Sequence, residues 1–373
     1  MPGSRSLRVL GAAGPTPPEA GPGAPSPLKG RGVSWNPPNR FERLHVEPDA
    51  PAAEDDAPPG TVLLRDRTRS ILAFNDSPDV GFDAGLNPYR GCGHGCVYCY
   101  ARPTHEYLGF SAGLDFETKI LVKERAPELL RRALSAPSWK PQVIALSGNT
   151  DAYQPVERRL GLTRRCLEVL RDFRNPVGIV TKSHLVTRDA DLLAELAAHD
   201  AAAVVLSITS LRNEVQRVME PRAATPARRL DAIRELAAAG VPVGVNVAPV
   251  VPGLTDHEIP AILEAAAEAG ARFASYILLR LPHGVKDMFA GWLEQHFPDR
   301  RDKVLHRVRE MRGGKLYDAR YEVRGKGEGE WAEQLRALFR VTRARLGLTE
   351  RPALSTASFR VPGAAQQADL FAG

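Results

Sequence analysis

Three cysteine residues lie within eight positions of this sequence. Cys92, Cys96 and Cys99 have the spacing Cys-x3-Cys-x2-Cys, so one short loop offers three thiolates. Thiolates bind both iron–sulfur clusters and zinc. A cube of four irons that is held by three cysteines leaves its fourth iron open to a small molecule. Glycines in the same loop allow the backbone to approach a bulky cluster. The spacing therefore predicts an iron–sulfur cluster with one open iron.

A structural zinc site is the alternative interpretation of these cysteines. Zinc takes four closed ligands, which the three cysteines could complete with His94 or His105. Such sites usually combine two ligand pairs, and no second Cys-x2-Cys or His-x3-His follows in the chain. The fourth cysteine, Cys166, falls in a helical pattern of leucines, which predicts a small core residue rather than a ligand.

A repeated alternation of short apolar runs and amphipathic helices must position this loop. Such an alternation indicates βαβ units and a parallel sheet. The predicted strands are Val143–Leu146, Val177–Thr181, Ala203–Ile208, Val243–Val247 and Ala274–Leu279. The predicted helices are Glu157–Phe173, Ala190–His199, Thr225–Ala239 and Glu258–Ala269. With one further strand before the cysteine loop, the chain contains about six such units.

Polar residues follow several of the predicted strands, where parallel barrels gather their chemistry. Asn149 and Thr150 follow the second strand, and Lys182 follows the third, where a lysine can meet a carboxylate as a point charge. Ser207 and Thr209 end the fourth strand with their hydroxyls on one side, an arrangement that suits a ribose or an ordinary barrel mouth.

Three further residues are candidates for the substrate side of the site. Tyr153 lies in the loop after the second strand, and Arg222 precedes a predicted helix. Arg280 ends the sixth strand, where a structural ion pair is an equal alternative for it.

Residues 87–283 resemble the radical S-adenosylmethionine (radical SAM) superfamily, and within it the branch that includes spore photoproduct lyase and uncharacterised relatives. The shared features are Asn87–Cys92, Tyr98–Arg102, Asp115–Lys119, Thr150–Pro155 and Thr181–Ser183. The resemblance implies a partial (β/α)6 TIM-like barrel that holds a [4Fe-4S] cluster and SAM. It further implies that the reduced cluster cleaves SAM to methionine and a 5′-deoxyadenosyl radical, which abstracts hydrogen from a substrate. The electron would come from a flavodoxin- or ferredoxin-type reductant.

The same resemblance implies residue roles. Thr150, with Asn149 beside it, would contact the methionine end of SAM, and Lys182 would contact its carboxylate. Ser207 or Thr209 would face the nucleoside, and the ring of Tyr98 would lie near the adenine.

One position departs from the lyase pattern. The lyase has a cysteine beside the second-strand loop that serves as a hydrogen donor, whereas Leu146–Asn149 here contains none. We therefore do not expect direct reversal of thymine photoproducts, since a shared fold and cofactor do not fix the substrate.

The composition is that of a globular protein. The chain has 373 residues, of which 43% are hydrophobic, and no apolar run reaches the ~18 residues of a membrane span. Only four cysteines are present, which argues against a disulfide scaffold and predicts a cytoplasmic location. Residues 301–351 hold 14 Lys/Arg against 8 Asp/Glu, which matches the whole formal excess of +6. That basic span is either a nucleic-acid footprint or a solvated helical face.

The sequence divides into four parts. Residues 1–60 are rich in Pro, Gly and Ala, which predicts a disordered or loosely attached arm, although 30–41 carry apolar anchors and are expected to pack on the body. Residues 80–285 form the predicted barrel, 286–352 a basic and mostly helical region, and 353–373 a flexible tail.

The tail ends in Gln367-Ala-Asp-Leu-Phe371, which resembles the sliding-clamp-binding motif of bacterial polymerases and repair proteins. A short extended peptide of this kind can place its Leu and Phe in an apolar cleft. Two enzyme hypotheses follow: a radical SAM enzyme of unknown substrate, or one that acts on DNA or RNA and is linked to DNA repair. The non-enzyme alternative is a zinc-stabilised, clamp-tethered nucleic-acid-binding module.

Overall fold

The computed structural model of the protein describes residues 28–42, 60–78 and 80–363. Its centre is a seven-stranded sheet with the strand order β10-β9-β8-β7-β6-β3-β2. Six of these strands are parallel, and β2 pairs antiparallel with β3 at the edge. A second sheet has the order β1-β5-β4. The strands are β1 Val62–Arg65, β2 Leu72–Phe74, β3 Ala84–Leu86, β4 Tyr89–Arg90, β5 Lys119–Val122, β6 Ile144–Leu146, β7 Val177–Thr181, β8 Ala202–Ser207, β9 Val243–Val250 and β10 Phe273–Leu278.

Helices alternate with the parallel strands. They are α1 Leu114–Thr118, α2 Ala126–Leu134, α3 Glu157–Leu160, α4 Leu162–Phe173, α5 Ala190–Ala197, α6 Asn213–Met219, α7 Pro226–Ala238, α8 Ile259–Glu268, α9 Val285–His296, α10 Pro298–Glu310, α11 Tyr321–Arg324 and α12 Glu330–Arg345. Short 3-10 helices span Arg102–Leu108, His184–Asp189 and Asp256–Glu258. This is the partial (β/α)6 barrel that the sequence predicts, and each predicted strand agrees with the structure to within three residues.

Local sequence explains where the helices begin and end. The hydroxyl of Thr225 accepts the N–H of Arg228 at 3.4 Å, and Pro226 occupies the first helical position of α7. The predicted helix over 157–173 is in fact two helices. Gly161 adopts a left-handed backbone (φ 62°) between α3 and α4, so the prediction of one continuous helix is wrong at this position.

The small sheet supports the cysteine loop. Strand β4 ends at Arg90, directly before that loop, and pairs antiparallel with β5. The N–H of Cys92 then donates to the carbonyl of Phe116 at 2.9 Å, just before β5 begins. The first cysteine is thus fixed by main-chain bonds rather than suspended in a free loop.

Part of the N-terminal arm packs on the body, as the sequence predicts. The N–H of Gly32 donates to Glu117 at 3.1 Å, and the N–H of Leu114 donates to the carbonyl of Trp35 at 3.2 Å. The remaining residues of the predicted arm before 28 and over 43–59 lie outside the described residues.

The C-terminal region also contacts the barrel. Helix α12 packs on α8, and the N–H of Ala274 in β10 donates to the carbonyl of Leu348 at 3.1 Å. Residues 353–363 were expected to be flexible, but the N–H of Arg360 donates to the carbonyl of Phe173 and the two rings Phe173 and Phe359 lie 6.1 Å apart. The predicted motif Gln367–Phe371 lies outside the described residues. Within the described residues, no helix is long and apolar enough to cross a membrane.

Candidate cofactor site and active site

The three clustered cysteines follow β4 and lie at the end of the barrel where the parallel strands terminate. All three are free thiols; Cys92 is buried and the other two are half-buried. Burial raises the pKa of Cys96 and of Cys99, and the three thiols are close enough to influence one another. The preceding Gly91 has φ 79°, and a Cβ there would lie 2.9 Å from the carbonyl oxygen of Phe116. Only glycine permits this entry into the loop.

Gln154 fixes the main chain on both sides of Cys92. Its Oε1 accepts the N–H of Gly93 at 2.8 Å, and its Nε2 donates to the carbonyl of Gly91 at 3.0 Å. Gln154 is fully buried, so these bonds are made without competition from water. Gln154 lies within the Thr150–Pro155 stretch, but no local signal in the sequence predicts its role.

A buried arginine holds the other end of the loop. The Arg102 Nε donates to the carbonyl of Cys96 at 3.0 Å, and its Nη2 pairs with Glu117 at 2.5 Å. Both partners of that ion pair are fully buried. Because Glu117 also accepts the N–H of Gly32, this carboxylate joins the cysteine loop to the arm.

His94 and Asp151 link the cysteine loop to the barrel strands. The His94 Nδ1 lies 3.4 Å from the Asp151 carboxylate, which also accepts the N–H of Lys182 at 2.8 Å and the hydroxyl of Thr181 at 2.8 Å. Burial would lower the pKa of His94, but Asp151 and Cys92 raise it to about 10. Burial would likewise raise the pKa of Asp151, but His94 and the hydrogen bonds lower it to about 2. A charged pair therefore ties the loop to the end of β7.

A second buried network lies under Tyr98. The Tyr98 hydroxyl donates to Glu220, which pairs with Arg229 and accepts the hydroxyl of Thr209 at 2.7 Å. Burial would raise the pKa of Glu220, but Arg229 and Lys182 lower it to about 2. Neither Glu220 nor Arg229 was identified from the sequence, because nothing local signals a partner on another element.

Most of the residues predicted to bind the cofactor meet in this region. The Lys182 Nζ lies 5.8 Å from the centre of the Tyr98 ring, and its charge lowers the pKa of Cys96 against the larger effect of burial. Thr209 is tied to Glu220 and to the carbonyl of Ala248 at 2.8 Å. Ser207 is buried at the end of β8, where its carbonyl accepts a bond from Arg229 at 2.9 Å.

The residues after β6 lie beside β4, just before the cysteine loop. Asn149 and Thr150 line a cavity of about 200 Å³ beside Lys123. The Thr150 hydroxyl donates to the carbonyl of Tyr89 at 3.3 Å and lies 3.5 Å from the Asn87 side chain. These two predicted residues are therefore near β4, adjacent to the first cysteine.

The three predicted substrate-side residues are in different surroundings. The Arg280 guanidinium lies 4.6 Å from the centre of the Tyr100 ring, and the Tyr100 hydroxyl donates to the carbonyl of Gly148. Arg222 lies against the cysteine loop: its N–H donates to the carbonyl of His94 at 3.2 Å, and its Nη1 would lie 3.7 Å from a Cβ at Gly93. Tyr153 is fully buried in the main core, where Asp189 and Glu157 raise its pKa further than burial alone. The structure does not bring Tyr153 to the cysteine loop.

The donor set fits a cluster that is held by one loop. Three free thiols share that loop, and Gln154 holds the carbonyl of Gly91 and the N–H of Gly93 on either side of Cys92. Among the described residues, no group of three or more His, Cys, Asp or Glu side chains is placed around a position for a single metal ion. Of the two histidines considered for zinc, His105 has its Nε2 3.0 Å from the carbonyl of Lys119.

The fold and this site define the class of protein. The sequence profile of the Radical SAM superfamily matches residues 86–266, which include the cysteine loop and the strands β6 to β9. The chain belongs to the radical SAM superfamily.

Two uncharacterised proteins are similar to this chain over more residues than the family model matches. An uncharacterised protein of Mycobacterium tuberculosis is 38% identical over 244 residues, which cover 64% of this chain and 71% of the relative. An uncharacterised protein of Methanocaldococcus jannaschii is 28% identical over 214 residues, which cover 57% and 76%. Among solved structures, spore photoproduct lyase complexed with dinucleoside spore photoproduct has a TM-score of 0.55 at 19% identity and covers 76% of this chain and 79% of the lyase. At that identity the likeness shows a shared fold.

Proposed function

We propose that this protein is a radical SAM enzyme in which Cys92, Cys96 and Cys99 hold a [4Fe-4S] cluster with one open iron. One observation carries the proposal. Three free thiols lie on one loop, which Gln154 and Arg102 hold in place beside Lys182 where the parallel strands end. When they are bound, the cluster and SAM supply a carbon radical that removes a hydrogen atom from the substrate.

The protein's own residues would orient SAM and exclude water. The Lys182 Nζ lies 5.8 Å from the centre of the Tyr98 ring and would neutralise the SAM carboxylate. The Tyr98 ring is fixed by Glu220, so it can form one rigid wall for the nucleoside. Thr150 and Asn149, which line the cavity beside Tyr89, would contact the methionine end.

We further propose that the substrate is a nucleic acid. The basic span 301–351 supports this class, as its excess of positive charge suits a polyanion. Structures of spore photoproduct lyase, which share the fold, are described with a dinucleoside photoproduct. The loop Leu146–Asn149 contains no cysteine, so we expect a reaction other than photoproduct reversal.

The cluster assignment is tested by anaerobic reconstitution followed by iron, sulfide and zinc analysis. We expect about four irons and four sulfides per chain, and 5′-deoxyadenosine after reduction with dithionite in the presence of SAM. Cys96→Ala should lose the iron chromophore and the product. Cys166→Ala is the matched control, because Cys166 is a core residue of α4 outside the loop. Stoichiometric zinc without iron would instead establish the zinc-binding module, and an unchanged product yield in Cys96→Ala would refute the ligand assignment.

The electron donor is tested in the same protein. We expect reduced flavodoxin or ferredoxin to replace dithionite in the formation of 5′-deoxyadenosine. No product with either donor, while dithionite still supports cleavage, would exclude that class of partner.

A further inference from the structure

Two arginines near the end of β10 have guanidinium donors without acceptors. Arg280 lies 4.6 Å above the Tyr100 ring, and its Nε is buried with no hydrogen-bond partner within the described residues. No carboxylate among those residues forms an ion pair with it. The described residues therefore do not support the structural ion pair that was the alternative for Arg280.

Arg312 lies behind Arg280 and is more deeply buried. Only 1% of it is exposed, and its Nη2 donates to the carbonyls of Leu279 and Arg324 at 2.5 and 3.3 Å. Its Nε and Nη1 have no partner in the part of the chain that the structure describes. The nearby carboxylate of Asp318 pairs with Arg320 at 2.8 Å.

This arrangement is unfavourable without a ligand. Burial, aided by the charge of Arg280 and opposed by Tyr317, lowers the pKa of Arg312 to about 10. The Arg312 guanidinium nevertheless stays charged at neutral pH, and unpaired buried donors carry a large desolvation penalty. An anion at Arg280, the more exposed of the two, would supply its missing acceptor and offset the charge of both, and a phosphate oxygen pair matches the planar fork of a guanidinium.

The surface around these arginines carries exposed aromatic rings. Tyr100 is 42% exposed below Arg280, and Tyr321 is 46% exposed with the Arg324 guanidinium 4.6 Å from its centre. Rings of this kind beside arginines are the platform on which unpaired bases stack. A small free anion would need the arginines alone, whereas a polymer uses both the charges and the rings.

A second aromatic pair lies close to the same edge. Phe41 and Tyr107 are exposed and stacked with their centres 4.8 Å apart. Arg40 lies 5.1 Å from the centre of the Phe41 ring and contacts His283, three positions after Arg280, at 2.9 Å. The exposed rings therefore continue from the end of β10 to the arm, where Arg40 is paired with Glu106 at 2.7 Å.

We propose that Arg280 binds a phosphodiester group of a single-stranded nucleic acid, with the buried charge of Arg312 adding to the attraction, and that the bases stack on Tyr100 and the exposed rings beside it. The inference deepens the proposed function, since it places the backbone of a nucleic-acid substrate next to the third cysteine of the loop. Single-stranded DNA and RNA share this chemistry.

The test measures the binding of fluorescein-labelled DNA and RNA strands of about 12 nucleotides to the reconstituted full-length protein. Fluorescence anisotropy is recorded between about 50 and 200 mM salt. For Arg280→Gln we expect about tenfold weaker binding of the favoured strand. The slope of log K against log salt should also fall by about 0.7, the contribution of one phosphate contact on a single strand. Arg280→Lys should keep that slope and recover part of the affinity, because it keeps the charge without the fork.

Arg345→Gln is the matched control. It removes the same unit of positive charge, but from the basic span 301–351 rather than from the end of β10, and Arg345 pairs with Glu264 on α8. We expect it to bind like the parent protein. Arg312→Gln is measured in parallel with a thermal melt, and if it unfolds, Arg280→Gln decides.

Two results would overturn the inference. One is equal affinity and equal salt slope for Arg280→Gln and Arg345→Gln. The other is a parent protein that binds neither strand while it still forms 5′-deoxyadenosine, which would leave the radical SAM assignment intact. Conversely, strand binding that depends on Arg280 in a protein unable to hold iron would support the binding site and refute the proposed enzyme.

Discussion

The side chain of Gln154 grips the main chain on either side of Cys92, through the N–H of Gly93 and the carbonyl of Gly91. Replacing Gln154 with Leu would leave both of these groups buried without partners. We expect unfolding free energy to fall by about 2–4 kcal/mol and iron retention to fall with it. Iron per chain after reconstitution and urea unfolding provide the measurements. Gln334→Leu is the control, because Gln334 is exposed on α12. The same iron content in both variants would contradict the role of Gln154 in holding the cysteine loop.

Gly32 permits the arm to lie against the cysteine loop. A Cβ at this position would lie 1.7 Å from the carbonyl oxygen of Gly95, so Gly32→Ala must push the arm away. Hydrogen exchange should then accelerate at the N–H of Leu114, which donates to the carbonyl of Trp35. Gly60→Ala meets no atom within 4 Å and should leave that exchange rate unchanged. Equal protection of Leu114 in the two variants would show that the arm does not depend on this contact.

The pair Glu220–Arg229 is buried under Tyr98, and breaking it leaves an uncompensated charge. We expect Glu220→Gln to lower the unfolding free energy by about 3–5 kcal/mol. Asp231→Asn, which breaks the exposed pair with Arg234, should cost no more than about 1 kcal/mol. Chemical unfolding of the two variants is the measurement. Similar losses of unfolding free energy in the two variants would mean that water reaches Glu220.

Lys123 is buried beside the cavity that Thr150 lines. Burial and the charge of Arg90 lower its pKa from 10.5 to about 8. The cost of its charged form is therefore fully present below about pH 8 and is relieved as the pH rises toward 10.5. We expect Lys123→Met to raise the melting temperature at neutral pH, with a gain that shrinks above pH 8. Lys140→Met, at an exposed position, should show no such dependence. A gain in melting temperature that does not change with pH would contradict the lowered pKa of Lys123.

The segment Gln367–Phe371 is predicted from its sequence to bind a sliding clamp. Deletion of residues 367–373 should remove clamp binding and leave 5′-deoxyadenosine formation unchanged. A pull-down with purified clamp, with the undeleted protein as the reference, measures this. If the undeleted protein captures no clamp, the motif has no such function.

The barrel could be predicted from sequence because its signals are local. Apolar runs of strand length alternate with helical patterns, and Thr225 followed by Pro226 marks the start of α7. The cysteine spacing is equally local, and it indicated the site directly. Strand β4, by contrast, has two residues and β5 has four, so neither carries enough periodicity to be recognised.

The supporting residues of the site could not be predicted, because their roles depend on distant partners. Gln154 and Gly91 are 63 positions apart, and Tyr98 and Glu220 are 122 positions apart. A single polar residue in a loop gives no indication of such a partner. The burial of Tyr153 could not be predicted either, because its place in a polar loop suggests exposure whereas its side chain lies in the core.

The docked arm limits how far the chain can be shortened. Val33 packs in one apolar cluster with Val97, Tyr98 and Trp292 of α9. A fragment cut to the profile match at 86–266 would lose Val33 and Trp292 together, and the back of the cysteine loop would face water. The smallest autonomous catalytic unit therefore extends well past both ends of the aligned region.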